Sequence, residues 1–299
     1  MNAKQQILNH AEFDYSPHLV GINNDAINSL KLPKIAFELP KTPANHIEQD
    51  FGIASAVAFL IALNSINFVF WTRKEDGTVD RYKYKDVVGA HGMTKAFTEI
   101  WGDFGSAVRL RGMCHVDQVD EIDAYFPGIP MQAERAEIFA EILAGEDRLE
   151  ETAHILTTHF IGSPLFTSDD AQFLADAFPK AYSDRYLKKA QLTIMEIASL
   201  FNANPEQLHL TVAADYQIPK VLRGYNILNY SPIISGSVDN GLYISANSIQ
   251  EKAIRAATVL ACEEISRVHN ISTPALDWWL WSQRNEHSGR IHLTLTTNY

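Results

Sequence analysis

Apolar residues return at intervals of three and four across residues 184–201, where Leu187, Ala190, Ile194, Ile197 and Phe201 form one stripe. That spacing predicts an amphipathic helix with one buried face. A second stripe, Ile254, Ala257, Ala261, Ile265 and Val268, follows Ser248-Ile249-Gln250-Glu251. The tetrapeptide reads as a capping box, in which the Ser hydroxyl and the Glu carboxylate satisfy the first unpaired amides of a helix. A third helix starts near Pro274 and contains Leu276 and Trp281. The most apolar stretch, residues 53–71, is interrupted by Ser55, Asn64, Ser65 and Asn67, and its end, Asn67-Phe68-Val69-Phe70-Trp71, has strand-like composition. A buried helix followed by a strand fits this stretch better than a membrane span. Short-strand signals continue at residues 82–84 after an Asp76-Gly77 turn,. At the C-terminus Ile291, Leu293 and Leu295 alternate with His292, Thr294 and Thr296, which predicts a strand whose apolar face is buried. The sum is a mainly α fold with a small β component. The turn-rich Phe126-Pro127-Gly128-Ile129-Pro130 is the nearest thing to a seam. It separates a helix and short-strand region, residues 1–126, from a helical region, residues 127–299.

The chain has 299 residues, 46% of them hydrophobic, enough for one large core or two small ones. Two cysteines, Cys114 and Cys262, cannot make a disulfide framework, and no CxxC pair offers a zinc site,. With 25 Lys+Arg against 36 Asp+Glu, the net charge is −11. An acidic chain is poorly suited to neutralising a nucleic-acid backbone, so the expected partner is a small molecule rather than a polymer or a membrane. A local basic pocket for one phosphate is compatible with that balance. The first residues lack a basic-then-apolar secretory pattern,, so a cytoplasmic address is expected. HExxH, GxSxG, GxGxxG and Walker A patterns are all missing,. No metal and no cofactor is expected.

Two segments could carry chemistry. In Ala214-Asp215-Tyr216-Gln217-Ile218-Pro219-Lys220-Val221-Leu222-Arg223, Pro219 fits the first turn of a helix, because its missing amide would be unpaired there anyway. Asp215 therefore stands at or just before a helix N-terminus, where the local positive potential favours its charged form. A carboxylate held charged can stabilise a developing oxocarbenium ion or orient a water. Asp is also a common plain N-cap, and the segment alone leaves both readings open. In Leu276-Asp277-Trp278-Trp279-Leu280-Trp281, Trp278 and Trp281 share a helical face and Trp279 points elsewhere. Aromatic walls beside Asp277 suit the stacking and edge recognition of a heterocyclic base; core packing is the alternative. Lys188 and Lys189 border the first stripe and either reach an anion as point charges or snorkel to the surface. Arg255 lies on a helix whose own face looks buried, and structural pairing competes there with substrate binding. Glu251 is accounted for by its cap.

Taken in order, these segments resemble the queuosine salvage protein family. Asn67-Phe68-Val69-Phe70-Trp71 is similar to that family's NFxFW, and Lys188-Lys189-Ala190-Gln191 to its Lys-Arg-Ala-Gln. The strongest likeness is between the nine residues from Ala214 to Leu222 and ADYRxPQVL. Gln250-Glu251-Lys252-Ala253-Ile254-Arg255 resembles E-x-E-I-R, and Leu276-Asp277-Trp278-Trp279-Leu280-Trp281 resembles LDYYLW. The resemblance implies a helical architecture like that of DNA glycosylases and an N-glycosidase that releases queuine from queuosine 5′-monophosphate. It makes Asp215 the nucleophile or cation stabiliser, and Lys188 the positive group that positions the sugar-phosphate or Asp215. Asp277 is then expected to bind the polar edge of the base, with Trp281, Tyr216 and Phe68 as apolar walls. Arg255, and His46 from the N-terminal third, complete the expected substrate-binding set. The chain departs from the family pattern at Ala213, Ser282, Asn64 and Ala253, and at Gly89-Ala90-His91-Gly92. Those departures keep two alternatives open: a non-catalytic nucleotide-binding homologue, or a nucleosidase for another purine-like nucleotide.

Overall fold

The computed structural model describes residues 2–33, 39, 41–104, 118–143 and 147–299; Cys114 lies outside them. The chain opens with α1 (Ala3–Asp14), β1 (Val20–Ile22) and α2 (Asn24–Ser29). Next come α3 (Asn45–Phe51) and α4 (Ile53–Ser65), then two hairpins: β2 (Trp71–Arg73) with β3 (Val79–Arg81), and β4 (Lys83–Tyr84) with β5 (Val87–Val88). Four helices follow: α5 (Ala90–Phe104), α6 (Gln118–Tyr125), α7 (Gln132–Leu143) and α8 (Arg148–Gly162). The remainder runs β6 (Phe166–Thr167), α9 (Ser168–Ala177), α10 (Pro179–Tyr182), α11 (Lys188–Leu200) and β7 (Leu208–His209). It ends with α12 (Gln217–Gly224), β8 (Leu228–Tyr230), α13 (Pro232–Asp239), α14 (Ile249–His269) and α15 (Thr273–Ser282). The fold is mainly helical, 60% helix against 8% strand, and its strands form only two-stranded sheets.

Two buried helices organise the rest. α4 is apolar on every side, and Ala56 through Ser65 are all buried, as expected of a helix with no polar face to turn to water. It packs against α3, α7, α8 and α11. Gly52, at φ 84°, lets the chain stop α3 and restart as α4 within one residue, a backbone state that side chains disfavour. α14 packs against α1, α2, α12 and α15. Its start matches the expected cap only in part. Ser248 accepts from the Glu251 amide at 3.2 Å, while the Glu251 carboxylate reaches the amide of Asn247 instead of Ser248. Among the described residues, no helix is long and apolar enough to cross a membrane.

Three sequence-based expectations need correction. The helix expected over residues 184–201 starts at Lys188, because Leu187 adopts a left-handed backbone (φ 50°) and Asp184 stays outside the helix. There the Asp184 carboxylate accepts the Lys188 amide at 3.0 Å and pairs with Arg255. Of the expected strand at residues 67–71, only Trp71 pairs, with Arg81. The carbonyls of Phe68 and Val69 accept instead from the buried guanidinium of Arg135, and Val69 turns to φ 32°. The C-terminal segment has the opposite polarity to that expected. His292, Thr294 and Thr296 are buried with Leu293, whereas Leu295 is 49% exposed. One bridge, Tyr243 to Leu293, holds the tail, and His292 Nε2 meets the buried Tyr299 hydroxyl at 3.1 Å. His292 and Thr296 find polar partners in the fold, which an alternation pattern cannot register,.

Candidate active site

The loop from β7 to α12 delivers Asp215 to a cavity of about 680 Å³, within the range of small-molecule sites. Asp215 Oδ1 accepts from the amides of Gln217 (2.6 Å) and Ile218 (3.1 Å), the first two residues of α12. Its other oxygen has no hydrogen-bond partner among the described residues, and the residue lines the cavity. One oxygen thus bonds the start of α12, just ahead of the Tyr216 cap position, and leaves the other unengaged by those amides. Burial pushes the Asp215 carboxyl up, against the opposing pull of Lys188 and the two amides.

Lys188, the first residue of α11, is only 5% exposed and lines the same cavity. Burial depresses its ammonium, while the charges of Asp215 and Asp277 oppose that shift. Asp277 comes from α15 and accepts the Ala213 amide at 2.5 Å. Burial raises it to about 7, with Asp215 adding to the shift and Lys188 opposing it. Glu196 stands eight residues after Lys188, and Leu192 between them lines the cavity as well; steps of four keep all three on one helical face. Burial raises Glu196 to about 7 also, although Asn64 Nδ2 donates to it at 2.7 Å. The cavity thus holds a buried cation among three carboxyl groups, each of them pushed up by burial.

Aromatic rings make the walls. Trp278 and Trp281 stack with centroids 5.0 Å apart, and Trp279 points away to stack on Tyr225. Phe68, Phe70, Trp71 and Tyr216 also line the space. Arg135 lies 4.2 Å over the Phe68 ring, so the wall is braced from behind by a cation–π contact. Lys189, buried rather than snorkelling, donates to the Ser65 carbonyl at 2.7 Å and supports the same ring.

A family model described as queuosine salvage protein matches residues 46–299. The chain belongs to the queuosine salvage protein family. It is 25% identical over 296 residues to a Sphaerobacter thermophilus protein named queuosine 5′-phosphate N-glycosylase/hydrolase, covering 88% of this chain and 87% of the relative. A mouse protein of the same name is 24% identical over 275 residues, covering 78% and 77% respectively. A third of that name, from Dictyostelium discoideum, is 24% identical over 171 residues, about half of each chain.

Within this queuosine salvage fold, six of the eight expected site residues line one cavity: Phe68, Lys188, Asp215, Tyr216, Asp277 and Trp281. His46 and Arg255 do not line it. His46 sits exposed on α3, whose inward residue is Ile47, while Thr42 and Pro43 just before that helix reach the cavity. Arg255 is spent behind the site. Its guanidinium grips Asp184 through two nitrogens (2.7 and 2.5 Å), and its Nε donates to the carbonyl of Ala214, the residue before Asp215. Sequence reasoning missed Glu196, Arg81 and Arg284, which also line the cavity. For Glu196 a signal existed, the four-residue stepping from Lys188. Among the described residues, no group of three or more His, Cys, Asp or Glu is arranged to hold a metal ion.

The raised Asp277 has a consequence for stability. Its folded value of about 7 exceeds the ordinary Asp value near 4, so the folded state binds the extra proton. Stability from this group is fully present below about pH 4 and is lost as pH rises through about 7. Asp277→Asn is therefore expected to lose less stability than wild type between pH 4 and 7. Above that the two curves run parallel. Melting temperatures across that range check it, and curves parallel throughout would remove Asp277 from the account of pH dependence.

Proposed function

We propose that this protein hydrolyses the N-ribosidic bond of queuosine 5′-monophosphate and releases queuine. The observation that carries the reading is the divided Asp215 carboxylate: one oxygen locked by the start of α12, the other without a partner among the described residues, on a residue that lines an aromatic-walled cavity. Breaking the bond between the anomeric carbon and the base nitrogen builds positive charge on the sugar. A fixed anion beside that carbon gains more in the transition state than with bound substrate, which is the condition for catalysis. Water supplies the oxygen that ends on the anomeric carbon, and the base leaves carrying a proton on its nitrogen. Asp215 acts as nucleophile or as cation stabiliser. Lys188, opposite it, holds the carboxylate charged and in place.

A guanine-type base presents N–H groups on its pairing edge. Asp277, anchored by the Ala213 amide, has the acceptor oxygens to receive them, and the Trp278–Trp281 stack offers a flat face. The helical DNA-glycosylase architecture belongs to this same reading, since there too an acidic residue precedes a helix at the reacting sugar. Of the departures from the family pattern, Ala213 and Gly89-Ala90-His91 line the cavity and Asn64 bonds Glu196, while two lie off it. Ser282 is exposed and bonds the Trp279 carbonyl, and Ala253 is buried within α14. Ala213 serves Asp277 through its backbone amide, which any residue but proline provides.

Incubation with queuosine 5′-monophosphate followed by mass spectrometry tests the proposal. Free queuine in catalytic amounts is the expected product. Tight nucleotide binding without release would instead make the chain a non-catalytic homologue.

A further inference from the structure

The net charge of the chain is −11, yet two arginines that line the cavity holding Asp215, and a lysine beside them, have no carboxylate partner among the described residues. Arg81, at the end of β3, is exposed and lines the cavity; its side chain makes no hydrogen bond or ion pair among the described residues. Arg284, just past α15, is half-buried and lines it too. Its guanidinium is 3.3 Å from the centre of the Trp281 ring and donates to the Trp281 carbonyl at 3.0 Å. Neither contact neutralises a charge. Lys220, on α12, donates to the backbone carbonyl of Arg284 at 2.7 Å, again a neutral partner.

The three lie close enough to repel one another. Lys220 is depressed by burial and then by the charges of Arg81 and Arg284. Arg284 is depressed by burial and by Arg81, and it feels the opposing charge of Asp215. Asp86 also lines the cavity and, among the described residues, forms no ion pair with any of them. Like charges held together cost free energy, and a fold retains such a cluster most readily where an anion arrives to relieve it.

We propose that Arg81 and Arg284 seat the 5′-phosphate of the nucleotide, with Lys220 fixing the Arg284 backbone and adding a third positive charge. This inference rests on the reading of Asp215 as the residue facing the sugar. In a 5′-nucleotide the phosphate stands one sugar and one methylene away from the anomeric carbon. A cation cluster near Asp215, but not bonded to it, is where that geometry puts the phosphate. Two guanidiniums suit a phosphate monoester better than ammonium groups alone, because each offers a planar pair of donors. The assignment also moves the phosphate contact away from Lys188, which lies deeper among carboxyl groups.

The test compares queuosine 5′-monophosphate with queuosine, the same compound without its phosphate, for wild type, Arg81→Gln and Arg284→Gln. Each loss of a charged hydrogen bond is expected to lower the nucleotide-to-nucleoside ratio of kcat/KM by about tenfold or more. The drop should come chiefly through KM for the nucleotide. An unchanged ratio in both variants overturns the inference. Calorimetric titration with ribose 5-phosphate reads the same contact without turnover. Wild type is expected to bind it at least about tenfold more tightly than the double variant, and equal affinity overturns the phosphate seat. If neither substrate releases base, the glycosidase reading fails while the calorimetry still decides this one.

Discussion

Asp215→Asn is expected to reduce queuine release by at least about a thousandfold, the scale on which loss of a preorganised electrostatic group is felt, with the fold intact. The substitution is informative because it separates the two oxygens. An Asn side chain keeps an acceptor for the Gln217 and Ile218 amides, and Asn caps helices as well as Asp. What disappears is the negative charge on the oxygen that faces the cavity. Lys188 loses the opposing charge of Asp215, so its ammonium is depressed further. Single-turnover release, measured beside a thermal melt, distinguishes this from misfolding. A variant that melts like wild type and turns over like wild type would remove Asp215 from the chemistry.

Arg255→Met is expected to destabilise the protein by about 3–5 kcal/mol, the cost of leaving one member of a buried ion pair uncompensated. Both side chains of the Arg255–Asp184 pair are 2% exposed. Burial works against ionisation of Asp184, but the charge and hydrogen bonds of Arg255, together with the amides of Lys188 and Tyr186, outweigh it and hold the carboxyl below its ordinary value. The stabilisation from this group is present above the usual Asp range near pH 4 and fades as pH falls through the lower folded value. A loss of that size is a large share of the 5–15 kcal/mol typical of a folded domain. Arg255→Lys preserves the charge but cannot hold Asp184 through two nitrogens and Ala214 through a third. It is expected to fold and to turn over more slowly, because the residue before Asp215 loses its anchor. Urea unfolding checks the first expectation, and a midpoint unchanged in Arg255→Met would contradict it.

Short-range patterns carried much of the site. The Pro219 position located the start of α12 and hence the cap at Asp215, and helical spacing separated Trp279 from the Trp278–Trp281 pair. Both depend on neighbours within a turn or two. What spacing could not register are pairings across long stretches of chain. Lys189 is buried with its ammonium donating a hydrogen bond to the carbonyl of Ser65, 124 residues away. Arg255 turned out to hold Asp184, 71 residues away, because nothing local specifies its partner. The tail shows the same limit: the alternation of residues 291–296 was visible, but which face is buried depended on polar partners such as Tyr299. His46 failed for a related reason, since α3 turns Ile47 inward and leaves His46 in water.

The position of the sugar relative to the free Asp215 oxygen is the point on which the account turns. A crystal structure of Asp215→Asn with queuosine 5′-monophosphate bound measures it most directly. The anomeric carbon is expected against the side-chain atom that replaces that oxygen, the base between Asp277 and the Trp278–Trp281 stack, and the phosphate at Arg81 and Arg284. A nucleotide bound with its sugar away from residue 215 would contradict it.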